Sequence, residues 1–304
     1  MAITVGTQCC FIFVMLVFII ATIMSASIYS YVYTQPFIHY PSEPWEYRDW
    51  AVVSDSDRCA EIAKKIIGDH GSIGDAAVSA LACMAVLLPH RCGLGGSLVA
   101  LYYDRSTRLV TALDAVGVVS TEADSSFFKD NSTLASYGRM APIVPGAVAG
   151  MHAIHKKLGK LNWPSVFGPA IALAQQNYPI GPHFAKALRR NEKRIEPFYG
   201  RLFSKVKNVE YLKLSKGLYQ LLYDVANKGW KFFYTGKHAR RLVNDLARGS
   251  GFITLEDLDH YEAHWVQPLV FDMKTHKTVY GVPVPGGGAL LGPILDIMDI
   301  TRRS

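Results

Sequence analysis

No Lys, Arg, Asp or Glu precedes Glu43. Without charge, residues 9–27 form an almost unbroken apolar run, close to the roughly 20 residues that a helix needs to cross a bilayer core. Two readings of this leader stand side by side. It is an uncleaved signal anchor behind a very short cytosolic tail, or a cleaved signal peptide whose Ser25-Ala26-Ser27 supplies the small residues a peptidase wants. The tail lacks the cations that fix orientation, and the far flank offers only Arg48 nearby. Either reading places the rest of the chain outside the cytosol.

Other absences narrow the chemistry. Net charge is +7, yet Lys and Arg are scattered, densest at 189–194 and at Arg240-Arg241. A basic stripe interleaved with stacking aromatics is missing, which argues against nucleic acid as a partner. No G-x-S-x-G segment occurs, so there is no nucleophile elbow of the α/β-hydrolase kind. Gly93-Leu94-Gly95-Gly96 lacks the Lys-Ser/Thr of a P-loop and the third glycine of a dinucleotide fingerprint, and reads as a turn. Gly286-Gly287-Gly288, between prolines, reads as a loop joining a strand to a helix. His152 and His155 sit three apart on a helix, but no Cys or carboxylate pair is spaced to complete a zinc site, so they read as a solvated pair. No metal or other cofactor is implied. Neither an internal repeat nor a low-complexity tract is found.

What the chain does hold begins at residue 59. Cys59, Ile62, Ala63, Ile66 and Ile67 make an i, i+3, i+4, i+7, i+8 stripe, with Ser54, Asp55 and Ser56 as N-cap candidates and Gly68 as the stop. Residues 75–88 predict a second helix, apolar on nearly every face and rich in Ala, therefore buried all round; Pro89 ends it. The glycine turn follows, with His90 packed against it, then strands at 98–103 and 109–114 joined as a hairpin at 104–107. Residues 116–139 are polar and loop-rich, and hold the only glycosylation sequon, Asn131-Ser132-Thr133. Pro145-Gly146 opens a helix ended by Gly159, and Pro164 takes the first position of the next. Further helices are expected at 184–194, around Leu218–Val225 and around Ala239–Ala247, with Thr254 and Asp257 as a weaker cousin of the capping box. Residues 266–272 and 278–282 return to strand. Residues 35–50, with Pro36, Pro41 and Pro44, read as a stalk.

Five segments carry, in order, a resemblance to the γ-glutamyltransferase (glutathione hydrolase) family: 59–114 with its GDAAVSAL, PHRCGLGGSL and LVTALDA runs, VPGAVAGMHAIHKKLGKLNW at 144–163, ALAQQNYPIG at 172–181, GFITLEDLDHYEA at 251–263 and PVPGGGALLGPILDIM at 283–298. The resemblance covers most of the chain and matches the family's heavy chain only. It implies an α/β (α+β) fold, the heavy-chain part of the αββα sandwich of N-terminal-nucleophile hydrolases, in which heavy and light chains add strands to the same sheets. It divides the sequence into a cytosolic tail at 1–8, a signal anchor or transmembrane helix at 9–33, a stalk at 34–50 and an incomplete heavy-chain domain at 51–304. The family's single-pass type II topology favours the anchor, with the bulk of the chain outside the plasma membrane. Cys59 and Cys83 match the heavy-chain disulfide, which leaves Cys92 as a buried thiol; Cys9 and Cys10, at the membrane edge, are candidates for acylation.

The same resemblance takes the catalytic group away. The family's nucleophile is a threonine at the new N-terminus of the light chain, whose own α-amine serves as base. That threonine lies beyond the point corresponding to Ser304, so no residue of this chain is assigned a catalytic role. The heavy chain's own contribution is an arginine just after the hairpin, forked onto the substrate α-carboxylate. Aligned through Leu113–Ala115, its place is taken by Val116, followed by Gly117 where the family has an acidic residue. Valine cannot bind a carboxylate, and Arg105 and Arg108 belong to the hairpin turn. The resemblance therefore implies a γ-glutamyltransferase or glutathione hydrolase that this chain alone does not complete. The abrupt Ile300–Ser304 end favours a truncated product, and Val116 a catalytically inactive, membrane-tethered relative with a binding or regulatory role. Expected partners are the membrane and a light-chain-like segment or full-length paralogue. An unrelated single-pass adhesion or receptor protein is the third class, and predicts no exposed half-core.

Overall fold

The computed structural model describes residues 15, 18, 20–25, 49–129, 132–203, 211–213, 216–273 and 276–301, in two units, Met1–Ala51 and Val52–Ser304. In the first unit residues 20–25 are helical. Among the described residues no helix is long and apolar enough to cross a membrane. The expected tail at 1–8, anchor at 9–33 and stalk at 34–50 lie almost wholly outside those residues.

The second unit begins with α1 (Asp57–Gly68), which buries Cys59, Ala63 and Ile66, as its spacing predicts. Ser56 is its N-cap but makes no side-chain bond to the helix. Helix α2 (Ile73–Leu87) starts two residues before the expected start at Asp75. The reason is a reciprocal capping box: the Asp75 amide donates to Ser72 Oγ at 3.1 Å, and the Ser72 amide to Asp75 Oδ2 at 2.8 Å. Cys59 and Cys83, both fully buried, form a disulfide with Cα atoms 5.6 Å apart, which fastens α1 to α2.

Strands β1 (Leu98–Asp104) and β2 (Leu109–Ala115) pair antiparallel from Leu98↔Ala115 to Asp104↔Leu109. The segment after them, expected as loop, contains two short 3₁₀ turns, Ser125–Phe128 and Ser132–Ala135. Helices α3 (Ala147–Leu158) and α4 (Trp163–Ala174) follow, the latter capped by Asn162 Oδ1, which accepts from the Ser165 amide at 3.0 Å. Strand β3 (Asn177–Pro179) leads into α5 (Pro182–Phe203), nine residues longer at its C-terminal end than the expected 184–194, and β4 (Tyr211–Lys213) returns antiparallel to β3. Helices α6 (Lys216–Lys228), α7 (Phe232–Thr235), α8 (Lys237–Ala247) and α9 (Leu255–Asp259) come next.

The strand expected at 266–272 is two strands. Pro268 has no amide to donate, so the ladder breaks there. Strand β5 (His264–Val266) pairs with β2, giving sheet order β1-β2-β5. Strand β6 (Leu269–Asp272) pairs instead with β7 (Thr278–Gly281), and the turn at 286–288 leads into α10 (Gly288–Thr301).

Among the described residues the three-stranded sheet is covered on one face and, at β1, exposed on the other. α3 packs on the covered face, and Leu113 and Ala115 of β2 join Val148, Met151 and Phe167 in one buried core that runs on through α2, α4 and α6. Burying a side chain such as Phe167, fully enclosed, stabilises by about 2–3 kcal/mol. On the other face β1 shows Val99, Leu101 and Tyr103, which are 40%, 43% and 56% exposed.

Candidate functional site

The chain leaves the sheet at Val116, and its exit is held from several sides. The Val116 amide donates to Asp114 Oδ1 at 3.0 Å, and the Gly117 amide to Ser97 Oγ at 2.9 Å. Tyr261 Oη donates to the Val116 carbonyl at 2.8 Å. Two residues on, the Val144 amide donates to the Val118 carbonyl at 2.8 Å, an isolated antiparallel bridge. A Cβ on Gly117 would fall 2.5 Å from the Val144 carbonyl oxygen, so only glycine permits this approach.

Asp257 fixes the loop further out. It accepts from Ser120 Oγ at 2.6 Å, from the Thr121 amide at 3.1 Å and from Thr121 Oγ1 at 3.0 Å. The same carboxylate completes the α9 capping box with Thr254, so the cousin expected from sequence is the full motif. Burial alone would raise the Asp257 carboxyl; the donors from Ser120, Thr254 and Thr121 together outweigh it and hold the group well below the usual carboxylate range.

Below the loop lies a tyrosine pair. Tyr234 and Tyr261 stack with ring centroids 5.8 Å apart. Tyr234 Oη donates to the Pro145 carbonyl at 2.9 Å and accepts from the Ala149 amide at 3.1 Å. Burial, with the Asp114 charge nearby, pushes the Tyr261 hydroxyl up to about 12, so it stays a donor at every physiological pH. The glycine turn enters here as well: the Gly96 carbonyl accepts from the Gly146 and Ala147 amides, both at 2.9 Å, at the first turn of α3. A Cβ on Gly146 would lie 2.0 Å from the Ala115 carbonyl oxygen and 2.3 Å from Tyr261 Oη. The turn at 93–96, the exit from β2 and the start of α3 are thus one braced assembly.

Its chemistry is apolar. Val116 is half-buried, and Val118 and Val119 beyond it are 50% and 66% exposed. Arg105 and Arg108 stand in the turn at the opposite end of a hairpin with seven-residue strands, roughly 20 Å along the strand from Val116. Neither can take over an anion at the exit.

The other residues singled out from sequence are placed as follows. Asn131 lies outside the described residues. His152 and His155 are not a solvated pair. His152 stacks on Trp230 at 4.7 Å, and burial foremost keeps its ring neutral. His155 lies edge-on to Trp163 at 5.2 Å, and its Nε2 is 2.9 Å from the Leu161 carbonyl, which can only accept; that nitrogen is therefore a donor, unable to ligate a metal. His90 stacks on Phe184, with ring centroids 4.9 Å apart. Cys92 is half-buried, with burial and then Asp55 pushing its thiol up, and so is a poor nucleophile.

Two buried carboxylates were missed from the sequence. Asp75 accepts at Oδ2 from the Lys160 and Leu161 amides at 2.9 and 3.1 Å, besides its capping box, and so ties α2 to the α3–α4 connection. Asp224, 1% exposed, meets Lys228 at 2.9 Å, Lys237 at 2.8 Å and His238 at 2.8 Å, and joins α6 to α8. Ser72 and Lys228 are local partners, a capping box and an i, i+4 pair, but Lys160, Leu161, Lys237 and His238 come from other elements that no local pattern marks.

Comparison with known proteins bears on this arrangement directly. The family described as Gamma-glutamyltranspeptidase matches residues 59–303. Scoloptoxin SSD14 of Scolopendra dehaani is 35% identical over 266 residues, which are 85% of this chain and 46% of that protein. The glutathione hydrolase 5 proenzyme of Mus musculus is 31% identical over 82% of this chain and 44% of its own length. The crystal structure of Helicobacter pylori γ-glutamyltranspeptidase superposes with a TM-score of 0.74 at 27% identity, covering 81% of this chain and 73% of that one. The chain spans a little under half the length of these two curated relatives. Its mixed α and β architecture is that of the γ-glutamyltranspeptidases, an N-terminal-nucleophile hydrolase fold. With the match running unbroken through the α1–α2 pair, the β2 exit and the Asp257 network, the chain belongs to the γ-glutamyltranspeptidase family.

Proposed function

We propose that the chain serves the hydrolysis or transfer of γ-glutamyl compounds, glutathione among them, as the heavy-chain half of an assembly whose nucleophilic threonine comes on a second segment. By itself it is catalytically silent. The observation that carries this reading is the uncovered apolar face of β1, a sheet surface of the kind a second sheet packs against. The second segment's threonine would form a γ-glutamyl ester, releasing the amine; water or an acceptor amine would then cleave the ester and regenerate the hydroxyl.

Val116 supports a second reading, a membrane-tethered relative with a binding or regulatory role. At the position where the family places its carboxylate-binding arginine, a braced backbone carries an isopropyl group. In both readings the apolar leader at 9–33 anchors the protein as a single-pass type II membrane protein, residues 51–304 face the cell exterior, and Asn131 carries a glycan. If the leader is cleaved, the protein is secreted.

One experiment separates the readings. The full chain, its Val116→Arg variant, and each of these joined to a family light chain are assayed on a chromogenic γ-glutamyl amide. Either chain alone should give no turnover. The Val116→Arg chimera should exceed the Val116 chimera by about a hundredfold in kcat/KM, since a buried bidentate charge pair is worth roughly 3 kcal/mol. Equal activity of the two chimeras sinks the role given to Val116, and turnover by the native chain alone sinks the whole reading.

A further inference from the structure

Away from that loop, an open groove of about 890 Å³ runs between α1 and α4. Its floor is apolar, made by Ile62, Ile66, Leu161 and Leu173. On the α4 side it is walled by small residues, Gly168 and Ala172 among them, and a Cβ added to Gly168 meets nothing within 4 Å. Along the α1 side stand Arg58, Glu61, Lys65 and Asp69, all exposed. Their spacing of three, four and four keeps them in one stripe, about 16 Å long at 1.5 Å per residue. Among the described residues none of the four makes an ion pair.

The order of those charges is informative. Read in one direction it is plus, minus, plus, minus, and an antiparallel copy of the same stripe presents the opposite sign at every position. Arg58 then meets Asp69 of the second copy, Glu61 meets Lys65, and both pairs occur twice. A two-fold axis demands such self-complementarity, because each patch must bind its own image. The small residues of α4 leave room for a neighbouring helix to come close, and the apolar floor supplies a dry centre inside a charged rim.

We propose that the α1–α4 groove is the interface of a two-fold symmetric dimer, in which α1 of a second copy lies antiparallel against α1 and in the groove. The surface is separate from the β1 face invoked above, so the proposal stands whether or not that reading holds.

The test uses the full chain purified in mild detergent, with its mass measured by sedimentation equilibrium over a range of concentrations. The native chain should show a reversible monomer–dimer equilibrium. Lys65→Glu and Glu61→Lys each place two like-charge pairs across the axis, and each variant alone should dimerise about tenfold or more weakly. In the first variant positions 61 and 65 are both acidic, and in the second both are basic. Mixed in equal amounts, the two variants therefore set opposite charges against each other at both contacts, and should form a heterodimer within about threefold of the native affinity. Gly168→Phe, at an exposed position where an added Cβ meets nothing within 4 Å, should abolish the dimer while the thermal unfolding midpoint holds. A chain that stays monomeric, a dimer indifferent to both charge reversals, or no heterodimer on mixing overturns the proposal. So does a dimer that dissolves when a light-chain segment is added, since that segment would then be the groove's occupant.

Discussion

Asp257 is a side chain on which both α9 and the loop beyond β2 depend. Replacing it with alanine removes a cap and leaves the Thr121 and Thr254 amides without their acceptor, which should cost about 3 kcal/mol of unfolding free energy. Denaturant titration of the variant measures this directly. Its acid response follows from the sign of the shift. The folded carboxyl titrates below the ordinary value of about 3.9, so its stabilisation is fully present above that value and is lost as pH falls through the folded one. Asp75 and Asp224 are lowered in the same sense, burial opposing and hydrogen bonds prevailing. The thermal midpoint should therefore hold above pH 5 and fall below pH 4, with a shallower fall in Asp257→Asn; an identical slope in that variant removes Asp257 from the account. Thr254 and Asp257 are three apart, and the cap was legible for that reason. Ser120 is 137 positions away, and a bond between two elements brought together only by the complete fold has no signature in the chain.

At the scale of elements, what held was what periodicity and capping decide locally. The stripe of α1, the all-round burial of α2 and the β1–β2 hairpin were readable because each residue's neighbours on its own element set its environment. Strand 266–272 was misread because its apolar run outweighed Pro268, although a proline without an amide is a local signal that the ladder stops there. His152 and His155 were misread for another reason: Trp230 and Trp163, which enclose them, arrive from separate elements. The pairing of Cys59 with Cys83 came from resemblance, and its consequence is an element-scale one. It closes a loop of 24 residues between α1 and α2, whose lost freedom in the unfolded chain is worth about 3.5 kcal/mol. Cys59→Ala with Cys83→Ala should lower the stability of the domain by about that amount in urea titration. A change below about 1 kcal/mol would mean the two helices are held by packing alone.

For the whole molecule the decisive feature is that, among the described residues, the outer face of β1 is uncovered. Alternation along β1 sends Leu98, Ala100 and Tyr102 toward α3 and the core, and Val99, Leu101 and Tyr103 to the opposite face. β1 is also an edge, with β2 on one side and no strand on the other among the described residues. An apolar face and an open edge on one strand are a liability that folded proteins cover. Leu101→Lys tests whether a second segment covers them. At a position 43% exposed the substitution should change the unfolding free energy of the chain by no more than about 0.5 kcal/mol, and it should reduce dye binding and aggregation of the chain on its own. Supplied with a family light chain, the same variant should assemble at least about tenfold more weakly than the native chain, because a lysine ammonium cannot be buried between two sheets without a partner. It should leave the dimer proposed through α1 intact, since that contact lies on another element. If Leu101→Lys assembles as well as the native chain, the light chain does not cover this face, and the bare sheet must be explained by some other partner.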